Sequence, residues 1–370
     1  MLVPLELVEE ILDYVGTTRA LCACALVSKQ FRLVSQKRLF TDVSLSLGSQ
    51  QPEQLAAAIT SSPHLALHVQ SVHVTFTGAR PPSAARARLF QHLFPRFTRL
   101  RDVARSGCAS SVAARAASQK RHTRCSPMSC SRRDFEQLVR FSPALDHLCL
   151  EDCDITYPSG HSTCELSRIS SLEIRPVFYA SLLDTLNNMR RGDWTELRYL
   201  RVDSLVHLPR VQLFIDRCAE LTRLHLKLRR SSDGAPNATV GIDIRRLTKL
   251  GCIHLKLLLG PTKDLANSTI GAVIRTLASA PRPSPIHTII LDVMVHSAVE
   301  DQEFSAWAEL DELLRSPQWT SSLKTLVFSL DPQRVGAQSS DAFIAEAAFY
   351  AHRFPLFHER GQVKVMLRDY

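Results

Sequence analysis

The apolar residues near the start of the chain recur at helical spacing. Four of them share one face of a predicted helix, with the acidic residues off that face: Leu5, Val8, Leu12 and Val15. Pro4 suits the first turn, where its missing N–H costs nothing, and Gly16 predicts the end of the helix. A second helical stretch is predicted from about Arg19 towards Phe40, so residues 1–43 are expected to be helical throughout.

From about residue 69 onward the apolar residues follow a different, repeating phrase. Its fullest form, Leu145-x-x-Leu148-x-Leu150-x-x-Cys153-x-Ile155, resembles the leucine-rich repeat at every defined position. Shorter versions are centred on positions 172, 200, 224, 253, 289 and 326, and successive centres from 148 onward lie 24 to 37 residues apart. The shorter intervals fit the repeat period of about 20–29 residues, and the longer ones make the array irregular.

Each phrase is predicted to be a short strand whose alternate residues point inward. Helical stretches precede the phrases, at Glu53–Ser61, Asp134–Phe141, Val211–Cys218, Ile270–Ala278, Phe304–Leu314 and Asp341–Arg353. Because one strand–helix unit cannot bury its own apolar face, successive units must stack. The predicted fold is α/β: a small all-helical N-terminal module, then an irregular leucine-rich-repeat-like solenoid whose parallel strands line one exposed concave face.

Positive charge is concentrated in one stretch of the chain. The net charge is +9, whereas residues 80–133 alone carry twelve Arg and one Lys against a single acid. Residues 104–133 contain few large aliphatic side chains and no acid, so they are predicted to be a disordered basic insertion, or an intron translated in error. Phe90, Phe94 and Phe97 lie among these arginines and are compatible with RNA stacking, but their helical spacing favours a core stripe.

Two classes of protein are excluded by the sequence. No apolar run approaches the length of a membrane span, and the N-terminus has no basic region typical of a secretory signal. We therefore expect an intracellular protein, in cytoplasm, nucleus or both, whose ten cysteines are thiols.

The N-terminal segment resembles the F-box. The resemblance is carried by Val3-Pro4-Leu5-Glu6-Leu7, Ile11-Leu12, Val15, Leu21, Cys24, Leu26-Val27-Ser28-Lys29, Phe31-Arg32 and Arg38-Leu39-Phe40. The downstream phrases resemble the leucine-rich repeats that often follow an F-box, particularly in fungal proteins. This resemblance implies an adaptor-binding F-box at 1–45 and a substrate-binding solenoid at 46–370.

An F-box docks a Skp-family adaptor, which links it to a cullin scaffold and a ubiquitin-conjugating enzyme. The resemblance thus implies a non-catalytic substrate receptor of a Skp–cullin–F-box ubiquitin ligase, acting in ubiquitin-dependent protein degradation. The alternative is a repeat scaffold that binds protein or RNA without a ubiquitin role. We expect no cofactor, no nucleic-acid partner and no membrane partner.

The apolar residues of the F-box segment exceed what about 40 residues can bury, so a partner groove is expected to cover them. The alternative is that this face packs on the first repeat. The predicted adaptor-binding residues are Pro4, Leu5, Leu7, Ile11, Leu12, Val15, Leu21, Leu26, Val27, Phe31, Leu39 and Phe40.

Substrate contacts are predicted on the outward positions of the solenoid strands, a choice that a one-residue error in phase would reverse. The candidates are His147, Arg198, Arg201, His225, Lys227, His254 and Lys256.

Neither a metal site nor a catalytic site is predicted. Cys149, Cys153, His161 and Cys164 could suggest zinc, but Cys153 fills a repeat position and Cys149 alternates with inward leucines. The scattered His and Cys residues form no nucleophilic or phosphate-binding motif, which argues against an enzyme.

Overall fold

The structure is a computed structural model, in which two compact units make up the chain, Met1–Ile169 and Ser170–Tyr370. It describes residues 3–46, 49–75, 93–106, 129–131, 145–151, 154–156, 168–175, 183–184, 186–187, 194–203, 208–228, 241–259, 263–295, 305–330, 348–350 and 352–367. None of the helices in these ranges is long and apolar enough to cross a membrane.

The first unit begins with three helices, α1 (Leu5–Asp13), α2 (Thr18–Cys24) and α3 (Lys29–Thr41). The predicted second helical stretch is therefore interrupted, which corrects the expectation of helix throughout residues 1–43. The interruption follows from Ser28, whose side chain accepts a hydrogen bond from the backbone N–H of Phe31 (3.3 Å) and starts a new helix as its N-cap.

The three helices share a small apolar core. Val8, Leu12 and Val34 are buried in it, and further apolar side chains pack against them from α2, α3 and the link after α1: Val15, Leu21, Cys24 and Phe31. Arg38 of α3 donates hydrogen bonds to the carbonyl oxygens of Leu12 and Glu9, which lie in the C-terminal half of α1, and pairs with Asp13. A cation at a helix C-terminus also interacts favourably with the helix dipole, so Arg38 fixes α3 against α1.

The remainder of the first unit contains short parallel strands. β1 (Asp42–Ser46), β2 (Ser71–Thr75), β3 (Asp102–Ser106) and β5 (His147–Glu151) pair side by side in this order. β4 (Ser129–Ser131) pairs with β6 (Asp154–Thr156) separately. α4 (Gln51–Ser61) and the 3₁₀ helix Pro63–His68 connect β1 to β2, in agreement with the helix predicted before Val69.

Part of the predicted disordered insertion is ordered. Ala104–Ser106 continue β3, whose backbone pairs with β2 on one side and β5 on the other, and Ser129–Ser131 form β4. Main-chain hydrogen bonding to two neighbouring strands gives β3 an order that its single large apolar residue, Val103, does not indicate. The rest of residues 104–133 lies outside the described residues, as does the predicted helix at 134–141.

The second unit is built from seven parallel strands that pair in chain order. They are β7 (Ser171–Ile174), β8 (Tyr199–Val202), β9 (Arg223–Leu228), β10 (Cys252–Leu259), β11 (Thr288–Val295), β12 (Thr325–Leu330) and β13 (Val363–Leu367). The described helices between them are α5 (Leu208–Ile215), α6 (Lys263–Ala278), α7 (Ser305–Leu314), α8 (Pro317–Thr320) and α9 (Pro355–Glu359). The predicted α/β class and its parallel strands are thereby confirmed.

The inward positions of the repeating phrase align across the second unit. The pairing places one apolar residue of each strand from β7 to β12 beside the next, and all of them are buried: Leu172, Leu200, Leu224, Ile253, Ile289 and Leu326. A second buried row lies two residues later, from Ile174 to Phe328. This ladder explains the spacing of the phrase, because each strand buries its apolar residues only against its neighbours.

Candidate functional site

The three-helix N-terminal segment exposes an apolar stripe along α1. Leu7 and Ile11 are each 49% exposed, and Tyr14 follows them at the position that continues the same face. The neighbouring stripe of α1, Val8 and Leu12, is fully buried in the three-helix core. The helix therefore has two apolar faces, of which the three-helix core covers one.

A second exposed apolar group lies in the turn between α2 and α3. Leu26 is 86% exposed and Val27 is 69% exposed. Their backbone N–H groups donate to the carbonyl oxygens of Ala23 (3.0 Å) and Cys24 (3.1 Å), so the turn is held in a defined conformation. We name the exposed residues of both groups the adaptor surface, after the role that the sequence predicts for this segment: Leu7, Ile11, Tyr14, Leu26 and Val27.

The predicted adaptor-binding residues divide by burial. Pro4, Leu5, Leu7, Ile11, Leu26 and Val27 are exposed. Val15, Leu21, Phe31, Leu39 and Phe40 are partly buried, and Leu12 is completely buried. Leu12 thus serves the core of the helices, because its face of α1 points at α3. Val3, Tyr14 and Leu33 are exposed apolar residues that the prediction omitted; the spacing of Tyr14 from Leu7 and Ile11 was the available signal.

The outward face of the second unit's strands is polar. The pairing places Glu173, Arg201, His225 and His254 in one row across β7 to β10. The row two residues later contains Lys227, Lys256 and Asp292 on β9 to β11, and Asp203 follows β8 beside it. The sign of charge alternates along parts of both rows, which lets neighbouring side chains pair.

Ion pairs organise this face. Arg201 donates Nε to Asp203 Oδ1 (2.9 Å) and Nη2 to Oδ2 (3.1 Å), a bidentate arrangement. Burial raises the pKa of the Asp203 carboxyl, but the hydrogen bonds and charge of Arg201 outweigh that effect and lower it overall. On the next strands, the buried Asp292 lies 3.9 Å from both Lys256 Nζ and His254 Nε2.

The centre of the face is a pair of stacked imidazoles. The rings of His225 and His254 lie 3.9 Å apart between centroids and 29° from parallel. His225 is only 6% exposed. Burial, with the nearby His254 and Arg201, lowers the pKa of His225 to about 3, so this ring is neutral at physiological pH. A neutral His225 ring can stack closely on the ring of His254 without charge repulsion between them.

A groove of about 710 Å³ opens at the beginning of strands β8 to β11. Its polar lining includes Tyr199, Arg223, His225, Lys249, His254 and His287. Gly251 makes room for the His287 imidazole, since a Cβ at that position would lie 2.8 Å from His287 Nε2. Neither Asp nor Glu occurs among the lining residues that the structure describes, so the groove presents cations and rings to its contents.

The predicted substrate residues are distributed unevenly over this face. Arg201, Lys227 and His254 are partly buried, whereas His225 and Lys256 are buried against neighbouring strands. Arg198 is exposed but precedes β8, and its carbonyl oxygen accepts from the N–H groups of Thr222 and Arg223. His147 is partly buried on β5 of the first unit. The prediction omitted the acidic members of the rows and Arg223, because it searched each phrase for single polar residues rather than for pairs across strands.

The metal and RNA hypotheses gain no support from the described residues. Within these ranges no cluster of three or more His, Cys, Asp or Glu side chains could hold a metal ion. Cys153, His161 and Cys164 of the zinc hypothesis lie outside the described residues. Phe94 and Phe97 are buried with their rings edge to face (5.7 Å), so neither ring is available to stack on a base.

Comparisons with known proteins agree with the N-terminal assignment. Residues 2–42 match the family model of the F-box domain. Among solved structures, a leucine-rich repeat-containing protein from Legionella pneumophila is similar, with 14% identity and a TM-score of 0.44 over 88% of this chain and 90% of that chain. A search of the curated proteins found no match. The chain therefore carries an F-box domain at its N-terminus, followed by a leucine-rich-repeat-like region of parallel strands.

Proposed function

We propose that this protein is the substrate receptor of a Skp–cullin–F-box ubiquitin ligase. In this proposal the adaptor surface binds a Skp-family adaptor, and through it a cullin. The outward strand face of the second unit recruits the protein to be ubiquitinated. The chain itself is not catalytic: it holds a lysine of the recruited protein near a charged conjugating enzyme, which raises the local concentration of the reactants.

The observation that carries the proposal is the ordered, exposed apolar surface within the segment that matches the F-box domain. Complete burial of one large apolar side chain contributes about 1.5–3 kcal/mol. Leu26 and Val27 are held by backbone hydrogen bonds in the exposed position, so their ordering requires little further entropy on binding. An apolar groove on a partner is the natural environment for such side chains.

The alternative, that this face packs on the first repeat, applies to a different face. Helix α3 contacts β1 and the 3₁₀ helix Pro63–His68 within the first unit. Leu7, Ile11, Leu26 and Val27 remain exposed nevertheless. Packing on the first strands therefore leaves the adaptor surface available.

The test is capture of a purified Skp-family adaptor by the full chain. Leu26→Glu places a charge at the most exposed residue of the adaptor surface and should weaken capture about thirtyfold or more. The matched control is Leu213→Glu on α5, because Leu213 is also an exposed leucine (58%) but lies in the second unit. Equal capture by wild type and Leu26→Glu would overturn the proposal.

A second experiment separates the two halves of the proposal. Affinity capture from cells is compared for the full chain and for a chain lacking residues 1–43, with mass spectrometry as the readout. The deletion should lose the adaptor and the cullin but keep the recruited protein. Retention of the cullin by the shortened chain would contradict the assigned role of the F-box.

A further inference from the structure

We propose that the groove at the beginning of β8 to β11 binds an acidic, extended segment of the recruited protein. The inference rests on the proposed function, because it assigns a ligand class to the strand face taken there as the recruiting surface. The occupant is a stretch of protein rich in Asp and Glu side chains.

The first argument is charge. The described lining of the groove contains arginine, lysine and histidine but no carboxylate. Arg223 in the groove and Lys227, four residues further along β9, form no ion pair with any side chain that the structure describes. The two cations lie on the same face of one strand, on either side of His225.

The second argument is that the nearby acids already have partners. Asp203 is held by Arg201, and Asp292 lies 3.9 Å from Lys256. Glu220 pairs with Lys249 at the rim of the groove (2.5 Å). These carboxylates therefore lie closest to other cations. The charge of Lys227 also acts on Asp203, so Arg223 is the cation most available to attract an anionic group from outside.

The third argument is the imidazole of His225. This side chain is more than nine-tenths buried and lines the groove, and its Nε2 has no hydrogen-bond partner in the part of the chain that the structure describes. A buried polar atom without a partner is costly, so a ligand that supplies one gains affinity. With its proton on Nε2, the neutral ring donates to a carboxylate oxygen of the bound segment.

The dimensions of the face suit a short extended segment. Neighbouring strands lie about 4.8 Å apart, so the three gaps between β8 and β11 span about 14 Å. An extended chain advances about 3.3 Å per residue, and about four or five residues therefore cross the groove. Alternate side chains of such a segment face the groove, which places two or three carboxylates within reach of the cations.

Fluorescence anisotropy with the full chain tests the inference. The probe is a short fluorescein-labelled peptide of alternating Glu and Asp, and its comparison is the same peptide with Gln and Asn. The acidic peptide should bind at least about tenfold more tightly, and added salt should weaken its binding. Equal binding of the two peptides, or tighter binding of an RNA oligonucleotide of equal charge, would overturn the inference.

Substitutions locate the binding within the groove. Arg223→Glu should weaken the acidic peptide about tenfold or more, and His225→Phe, which keeps an aromatic ring for stacking, about threefold to fivefold. Arg360→Glu is the matched control, because Arg360 is exposed between α9 and β13 and does not line the groove. Circular dichroism verifies that each variant is folded. Unchanged peptide binding by folded Arg223→Glu, or an equal loss in Arg360→Glu, would refute the groove as the site.

The same variants distinguish this inference from the proposed function. Arg223→Glu should lose the peptide and keep the adaptor, and Leu26→Glu should do the opposite. Peptide binding without adaptor capture in the wild type would refute the ligase role alone. Adaptor capture without peptide binding would refute the acidic ligand alone.

Discussion

The adaptor surface and the strand face of the second unit differ in whether their side chains already have partners within the chain. Leu26 and Val27 are apolar, exposed and ordered, and the described chain does not cover them. Arg201 and Asp203 are charged, partly buried and already paired with each other. The first surface gains free energy from any partner that excludes water, whereas the paired charges of the second gain only from a ligand that competes with or completes those pairs. Under the proposed function, this difference predicts a long-lived complex with the adaptor and a more selective interaction with the recruited protein.

The largest expected effect is a loss of stability that distinguishes the buried apolar face of α1 from its exposed apolar face. Leu12→Ala should lower the free energy of unfolding of the F-box segment by about 2–5 kcal/mol, because it empties part of the buried three-helix core. Ile11→Ala, on the exposed face, should cost less than about 1 kcal/mol of stability but weaken adaptor binding. Urea unfolding and adaptor capture of both variants test the distinction. Equal destabilisation by the two substitutions would contradict the assignment of separate roles to the two faces of α1.

The buried charges of the strand face give the next largest effect. Asp292→Ala should destabilise the second unit by about 3 kcal/mol, because Lys256 then remains buried without its carboxylate. Adding Lys256→Met to Asp292→Ala should recover much of that loss, because the unpaired charge is then removed as well. Thermal unfolding of the single and double variants measures the coupling. A double variant as unstable as the sum of the single changes would contradict pairing between these residues.

The stacked histidines predict a pH dependence that the adaptor surface lacks. Burial, His254 and Arg201 lower the pKa of His225 to about 3 in the folded chain; Lys256 also lowers it and Asp203 opposes the shift. In the unfolded chain this histidine binds its proton near pH 6.5. The contribution of the neutral, buried ring to the free energy of unfolding is therefore complete above pH 6.5 and is lost as the pH falls towards 3. One histidine contributes a slope of about 1.4 kcal/mol per pH unit at most.

The measurement is urea unfolding of the second unit's signal at several pH values between about 4.5 and 7.5. His225→Phe keeps an aromatic side chain for stacking but cannot take up the proton, so its stability should fall less steeply with decreasing pH than that of the wild type. Identical slopes for wild type and variant would contradict a neutral, buried His225.

The smallest effect concerns the turn that presents Leu26 and Val27. Ser28→Ala removes the hydrogen bond to the N–H of Phe31 and should cost about 1 kcal/mol of stability. A more flexible turn should also weaken adaptor capture slightly, because the turn must then lose conformational entropy when the adaptor binds. Thr17→Ala, which removes the equivalent cap of α2, is the matched comparison. A larger loss of capture for Thr17→Ala would show that the turn itself is unimportant.

The repeating phrase was predictable because it is local and periodic. Leu224 and Ile253 occupy equivalent positions of successive phrases, and the structure pairs them directly. β1 and β3 were not predicted, because Asp42–Ser46 and Asp102–Ser106 contain few large apolar residues and owe their order to neighbouring strands. The division between exposed Ile11 and buried Leu12 was also beyond the sequence, since it depends on where α3 packs.

The ion pairs between strands of the second unit were even harder to predict from the sequence. Lys256 and Asp292 are adjacent only because β10 and β11 pair in one register, and their distance along the chain gives no such signal. Arg223 was omitted for the same reason, since its place in the groove depends on Tyr199, Cys252 and Thr288 of neighbouring strands. Side chains brought together by register require the sheet to be known first.

Isothermal titration of a purified Skp-family adaptor into the full chain tests the central claim most directly. If the exposed apolar side chains of the F-box are the contact, binding carries a clearly negative heat-capacity change, and Leu26→Ala reduces both that change and the affinity. Absence of binding, or the same affinity and heat-capacity change for wild type and Leu26→Ala, would contradict the account.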